Sequence, residues 1–365
     1  MTVVARAAVL EDIGRPVVVR ELELIEPRAG EVRVRMLASG VCHSDLHVRD
    51  GEWDRPTPIV MGHEGAGLVE AVGQGVTTPR IGDLVALSWL IPCGVCRWCR
   101  RGQVWACPDS PSYRHALLDG ETSFRGVRSY CAIATMSSHS VVPAAAAITL
   151  PPATDPAVAA LIGCCVTTGV GAVLKTAAVP AGSSVAVIGL GGVGLSCVMG
   201  AVLAGASRIV AIDRVATKLD VARSVGATDT VLATDDAAAT IAALRELTDG
   251  GPDYVFEAIG LPATVELAIA ALPVGGTAVL VGMTPVGDRA GFEVYRFVDG
   301  AKRILGSNYG SAEPSVDFPR YATWSIEGRL PASRLIDRRI ALDDIEDAFA
   351  AMRRGEYVRQ VIDFD

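Results

Sequence analysis

The chain has 365 residues, 50% of them hydrophobic and 20% charged, with a formal net charge of −8. That length holds two domains, each with its own core, and that composition fits a well-packed α/β protein rather than a disordered one. The acidic balance, with no block of lysine and arginine, argues against a nucleic-acid partner.

Residues 1 to about 90 read as β-rich, with short alternating runs at Val17–Leu24 and Glu31–Met36 separated by Pro27 and Gly30. Glycines at 65 and 67 mark a strand that bends or lets another backbone come close. Between these runs, Cys42-His43-Ser44-Asp45-Leu46-His47 and Gly62-His63-Glu64 gather a thiol, imidazoles, a hydroxyl and carboxylates. Zinc takes sulfur and nitrogen donors, and a catalytic zinc keeps three protein ligands and one open position. Cys42 and His63 supply two ligands, and Cys164 is the candidate for the third, with Cys165 beside it as an open alternative.

Four of the nine cysteines, Cys93, Cys96, Cys99 and Cys107, fall in one short stretch. Such clustering reads as metal binding before disulfides, and four thiols close a tetrahedral structural zinc site. The spacing also matches part of some iron–sulfur patterns, but the gap before Cys107-Pro108 is too long for the ferredoxin run. Residues 108–145 carry few periodic signals. Pro151, Pro152 and Pro156 open an Ala-rich helical stretch whose apolar run, 158–174, reads as a buried core segment rather than a membrane span.

From Ser184 the pattern changes. A strand over 184–189 runs into Gly189-Leu190-Gly191-Gly192-Val193-Gly194, then a helix to Ala204 closed by Gly205, then a strand ending at Asp213, 19 residues past Gly194. Strand, GxGxxG, helix, strand and acid is a dinucleotide site, with the pyrophosphate on the helix N-terminus. Asp213 favours NAD over NADP, and Arg214 reads as a solvated charge, although an arginine there tolerates a 2′-phosphate. Helices at 218–225, 239–247 and 262–272 alternate with strands at 230–232, 253–258 and 277–282, which means a parallel sheet. A helix over 343–354 places Ile345, Ala348, Phe349 and Met352 on one face, and a strand over 358–362 follows.

These motifs in this order resemble the zinc-dependent medium-chain alcohol dehydrogenase family across essentially the whole chain. The resemblance implies an α/β protein: a GroES-like β-rich catalytic domain from 1–165 and 308–365, and a Rossmann NAD-binding domain at 166–307. It implies two zinc ions per subunit, the catalytic one on Cys42, His63 and Cys164 with Glu64 behind it, the structural one on the lobe at about 93–107. It makes Ser44 and His47 a proton relay and Asp45 the acid that orients His63. His43, Thr168, Lys218, Val281, Met283 and Arg359 become cofactor contacts beside the glycine fingerprint, and Trp53 and Trp89 become walls of the substrate pocket.

The implied activity is hydride transfer between a primary alcohol or aldehyde and NAD. A thiol-adduct formaldehyde dehydrogenase is the second reading, for which Arg114 is a loose match, and a non-catalytic zinc- and NAD-binding relative is the third. The long segment between Cys107 and Cys164 is that of dimeric relatives, so a homodimer is expected. Met1–Arg6 opens no signal-peptide pattern, so the expected compartment is the cytoplasm, with no membrane partner.

Overall fold

The structure, a computed structural model, describes residues 3–110 and 123–364; Arg114 and His115 lie outside the described residues. The chain divides into two compact units: Met1–Cys164 with Glu313–Gly328 and Ile336–Asp365, and Cys165–Ala312 with Arg329–Leu335. The sequence reading kept 308–365 whole within the first unit. The fold instead gives 308–312 and Arg329–Leu335 to the second.

The first unit is built on two sheets. One orders its strands Val18–Glu23, Val4–Leu10, Ile59–Val60 and Arg128–Ser129. The other runs Ile336–Ile340, Arg359–Asp363, Glu31–Val41, Gly65–Val72, Leu84–Leu87 and Ala147–Thr149, with His139–Pro143 also on Glu31–Val41. The strand Glu31–Val41 is its spine. Its buried positions Val32, Val34 and Met36 alternate as a half-buried strand requires, and they pack with Val69, Val85, Leu87 and Ile133. Gln360–Asp363 pairs antiparallel with Ala38–Val41, so the chain's last strand lies beside the stretch that leads into Cys42.

The helix His43–Asp50 begins where that strand ends. Its buried Leu46 and Val48 enter a core shared with Trp53, Met61, Ile345 and Phe349. Arg49 holds this helix to the helix Ile345–Arg353 through Glu346 at 2.7 Å, and Arg353 returns the contact by pairing with Asp50.

The second unit is a six-stranded parallel sheet ordered Asp229–Leu232, Arg208–Asp213, Ser184–Ile188, Tyr254–Glu257, Thr277–Leu280 and Arg303–Gly306. This is the doubly wound dinucleotide-binding order, with its switch point at Ser184–Ile188. Ala186, Ile188, Val210, Ile212 and Val255 fill the sheet core, as their continuous apolar runs require.

The helical run Pro156–Thr176 is the one described helix long and apolar enough to cross a membrane. Its most apolar window is 83% buried inside the protein, which makes it a core helix. The run relaxes to π-helical geometry at Ile162–Val166, the turn that carries Cys164. Such wide turns are rare and collect at functional positions.

Candidate active site and metal centres

The first unit assembles two metal-competent clusters. Cys93, Cys96, Cys99 and Cys107 bring their sulfurs within 4.8 Å of one another. Cys96 Sγ lies 3.5 Å from Cys99 Sγ and 3.9 Å from Cys107 Sγ. Sulfurs at about 2.3 Å from a tetrahedral zinc stand about 3.8 Å apart, so the cage has the right size. Backbone amides of Cys93, Cys96 and Cys99 donate to these sulfurs at 3.3–3.5 Å, as thiolates need. None of the nine cysteines forms a disulfide.

The second cluster is Cys42, His63, Glu64 and Cys164, again with ligand atoms within 4.8 Å. Cys42 caps the helix His43–Asp50, and His63 sits in the tight turn between the strands Ile59–Val60 and Gly65–Val72. Cys164 Sγ, rather than that of Cys165, belongs to the set.

Asp45, fully buried, bridges two members: Oδ1 lies 3.1 Å from His63 Nδ1, and Oδ2 accepts from the Cys42 amide at 3.1 Å. This fixes the His63 tautomer and leaves Nε2 buried with no hydrogen-bond partner among the described residues; Glu64 Oε1 is in the same position. Two orphaned buried acceptors facing two thiols fit a soft divalent cation.

The electrostatics agree. Hydrogen bonding to Cys164 draws the Cys42 thiol well below its ordinary value, against burial and with help from His63. Burial works to lower His63, but Asp45 and Cys42 outweigh it and hold the imidazole well above its usual range. A metal ion displaces that proton on binding. Burial lifts the Glu64 carboxyl to about 7 despite the adjacent Arg359.

The sequence reading expected Arg359 to face a pyrophosphate. The structure shows it 6% exposed, with Nη2 against Glu64 Oε2. Trp53, expected as a pocket wall, is buried in the core and stacks on the His47 ring at 4.6 Å. Trp89 packs at the margin of the core around Val85 and Leu87. His43 is exposed and its ring lies 5.6 Å from that of His47, while Ser44 is half-buried in the same first turn.

Sequence reasoning missed three neighbours. Tyr130 sets its ring edge-on to His63 at 5.5 Å. Thr135 closes the turn at Gly62 through its amide, 3.0 Å from the Gly62 carbonyl, and its hydroxyl meets Ser39 at 2.9 Å. Glu52 hydrogen-bonds the His47 ring. Tyr130 and Thr135 lie over sixty residues from the motif, with no local signal. Glu52 was within reach, because a glycine four residues after His47 ends the helix and turns the chain back.

In the second unit the glycine loop has the expected build. A Cβ on Gly194 would stand 1.7 Å from the Gly189 carbonyl oxygen, so only glycine lets helix and strand meet there. At Gly191 a Cβ would meet nothing within 4 Å, which leaves open space at the N-terminus of the helix Gly192–Ala204 for a ligand. Asp213 Oδ2 accepts from the Leu190 amide at 2.8 Å and Oδ1 from the Val215 amide at 2.9 Å, which locks the carboxylate at the strand end. Arg214 is exposed and paired with Asp235 at 2.5 Å. Val193 and Lys218 lie in the helices after Gly191 and Val215, and Thr168 is buried in the helix Thr167–Gly171. Val281 follows the strand Thr277–Leu280, and Met283 is 59% exposed.

A fold of this order with two such zinc-competent clusters defines a zinc- and nicotinamide-dependent oxidoreductase. Residues 28–152 match the alcohol dehydrogenase GroES-like domain, and residues 192–326 match the zinc-binding dehydrogenase domain. The chain is 34% identical to an S-(hydroxymethyl)glutathione dehydrogenase of Synechocystis, over 99% of this chain and all of that one. An alcohol dehydrogenase zinc-binding domain protein from Burkholderia ambifaria superimposes with a TM-score of 0.93 at 35% identity, covering both chains entirely. A benzyl alcohol dehydrogenase from Acinetobacter calcoaceticus gives 0.93 at 31%, again over both chains. The chain belongs to the zinc-dependent alcohol dehydrogenase family.

Proposed function

We propose that this protein oxidises a primary alcohol to the aldehyde with NAD, or runs the reverse reaction, at Cys42, His63 and Cys164. The observation that carries this reading is the buried cluster with His63 Nε2 left unpartnered and aimed at two thiols. Zinc held there would polarise the alcohol oxygen, and NAD held by the glycine loop would accept the hydride. Glu64, paired with Arg359 through Oε2, backs the site. Ser44 takes the proton of the alcohol and passes it toward His47, which returns it to solvent. Asp213 accepts from the ribose hydroxyls, and Arg214, neutralised by Asp235, offers a 2′-phosphate little attraction. His43 is the pyrophosphate contact, as a hydrogen-bond donor because desolvation of its ring lowers its pKa, with Thr168, Lys218, Val281 and Met283 completing the cofactor contacts. Trp89 limits the pocket to flat or unbranched alcohols.

Oxidation of a thiol–formaldehyde adduct is the second reading, favoured by the Synechocystis relative. One assay separates them: NADH formation across an alcohol panel, then with formaldehyde and glutathione or another small thiol. Turnover of benzyl and unbranched alcohols without thiol supports the first; turnover only with thiol and formaldehyde replaces it with the second.

A homodimer in the cytoplasm completes the proposal. The strand Arg303–Gly306 is an open sheet edge. The helix before it exposes Val294, Tyr295 and Val298 at 64–74%, an apolar patch that a second copy would cover. Light scattering at the mass of two chains supports this, and a monomer or tetramer contradicts it.

A further inference from the structure

The His47 ring is held from two directions by the residues that follow it. The helix His43–Asp50 ends at Gly51, whose φ of 81° turns the chain back over its last turn. The His47 carbonyl then accepts from the Glu52 amide at 2.9 Å and the Trp53 amide at 3.2 Å. This return lays the indole of Trp53 on the imidazole, ring centroids 4.6 Å apart and planes 23° from parallel. It also brings Glu52 Oε2 into hydrogen-bond contact with His47 Nδ1. The His47 side chain is 15% exposed and that of Glu52 43%, so the pair lies where the interior meets solvent.

We propose that Glu52 is a positioning residue for proton release: its carboxylate holds His47 as the Nδ1–H tautomer and so presents Nε2 as the acceptor for the substrate's proton. A carboxylate is acceptor-only, so the shared hydrogen belongs to Nδ1. The lone pair of a neutral imidazole then lies on Nε2. The stacked Trp53 ring opposes the flip about Cβ–Cγ that would put Cδ2 in place of Nδ1 against Glu52. When Nε2 takes a proton, one N–H bond forms and the ring becomes a cation with Glu52 as its counter-charge. Release of that proton from Nε2 to water restores the starting pair, with no change in Glu52. The turn itself does not need the carboxylate, because the two backbone bonds to the His47 carbonyl already close it. The inference rests on the relay role proposed above for His47.

The test has two arms. Nitrogen-15 NMR of the imidazoles, with His47 assigned among five histidines by a His47→Gln variant, reads the tautomer without turnover. The wild type should show His47 as the Nδ1–H form, and Glu52→Ala should release it to a mixture. The second arm measures kcat/KM for benzyl alcohol on the zinc-loaded enzyme with NAD for His47→Gln, Glu52→Ala and the double variant. Glu52→Ala and His47→Gln should each lose about tenfold, and the double variant about tenfold rather than a hundredfold. Added imidazole should recover part of the loss in all three, with KM for NAD unchanged. An Nε2–H tautomer in the wild type overturns the proposal, as does full kcat/KM in Glu52→Ala when His47→Gln has lost it. If His47→Gln loses nothing, the relay reading fails, and the tautomer still decides the assignment of Glu52.

Discussion

Asp45→Asn isolates what the acid behind His63 contributes. Asp45 is fully buried and accepts twice, from His63 Nδ1 at 3.1 Å and from the Cys42 amide at 3.1 Å. Asparagine has the same shape but one acceptor oxygen, so one of these partners must face its NH2 group. That leaves a buried donor against a donor, a cost of about 1–3 kcal/mol. The loss of an acceptor that orients a metal-binding histidine independently predicts about a 10–100-fold fall in metal affinity. At about 1.4 kcal/mol per decade the two estimates overlap. Zinc titration of metal-depleted protein against a competing chelator, followed by recovery of turnover, should show a 10–100-fold weaker catalytic site. The four-cysteine site should be unchanged. A catalytic site within about threefold of the wild type would show that Asp45 does not orient His63.

Three other outcomes follow from the same contacts. Cys96→Ser should lower zinc content by one per chain and the unfolding temperature by several degrees, because a structural zinc contributes folding energy; unchanged stability would remove that role. Trp89→Ala should shift the ranking of short, branched and aromatic alcohols by about 1–3 kcal/mol in kcat/KM, whereas Trp53→Ala, in the core, should cost about 3–5 kcal/mol of stability. An unchanged ranking for Trp89→Ala, or an unchanged unfolding temperature for Trp53→Ala, counts against these placements. Burial would raise the Asp50 carboxyl, but Arg353 and Arg49 prevail and hold it below its ordinary value. A depressed carboxyl stabilises the fold above its unfolded pKa of about 3.9 and loses that contribution as pH falls through the folded value. The unfolding temperature of Asp50→Asn should therefore fall below the wild type at neutral pH and converge with it under strong acid.

Much of the second unit was legible because each signal there is local. The run 184–188, the glycine loop and Gly205 set a strand, a turn and a helix end within a few residues, and each lies where the sequence placed it. The cysteine lobe was legible for the same reason. The helix His43–Asp50 was not, because its only buried apolar residues are Leu46 and Val48, which make no apolar period. Nor was the contact of Arg359 with Glu64, 295 residues away, since it depends on the last strand pairing with Ala38–Val41. The π-helical turn that presents Cys164 has no residue signature, and only the folded chain separates Cys164 from Cys165. Trp53 reads as a pocket wall until the turn at Gly51 places it on His47.

The central claim is that Cys42, His63 and Cys164 form an open metal site distinct from the closed four-cysteine cage. Zinc content, NADH formation and the folded spectrum measured together on one preparation of Cys42→Ala test it most directly. The account predicts a folded protein with one zinc per chain in place of two, and no turnover of any alcohol the wild type oxidises. Two zincs with turnover retained would contradict it.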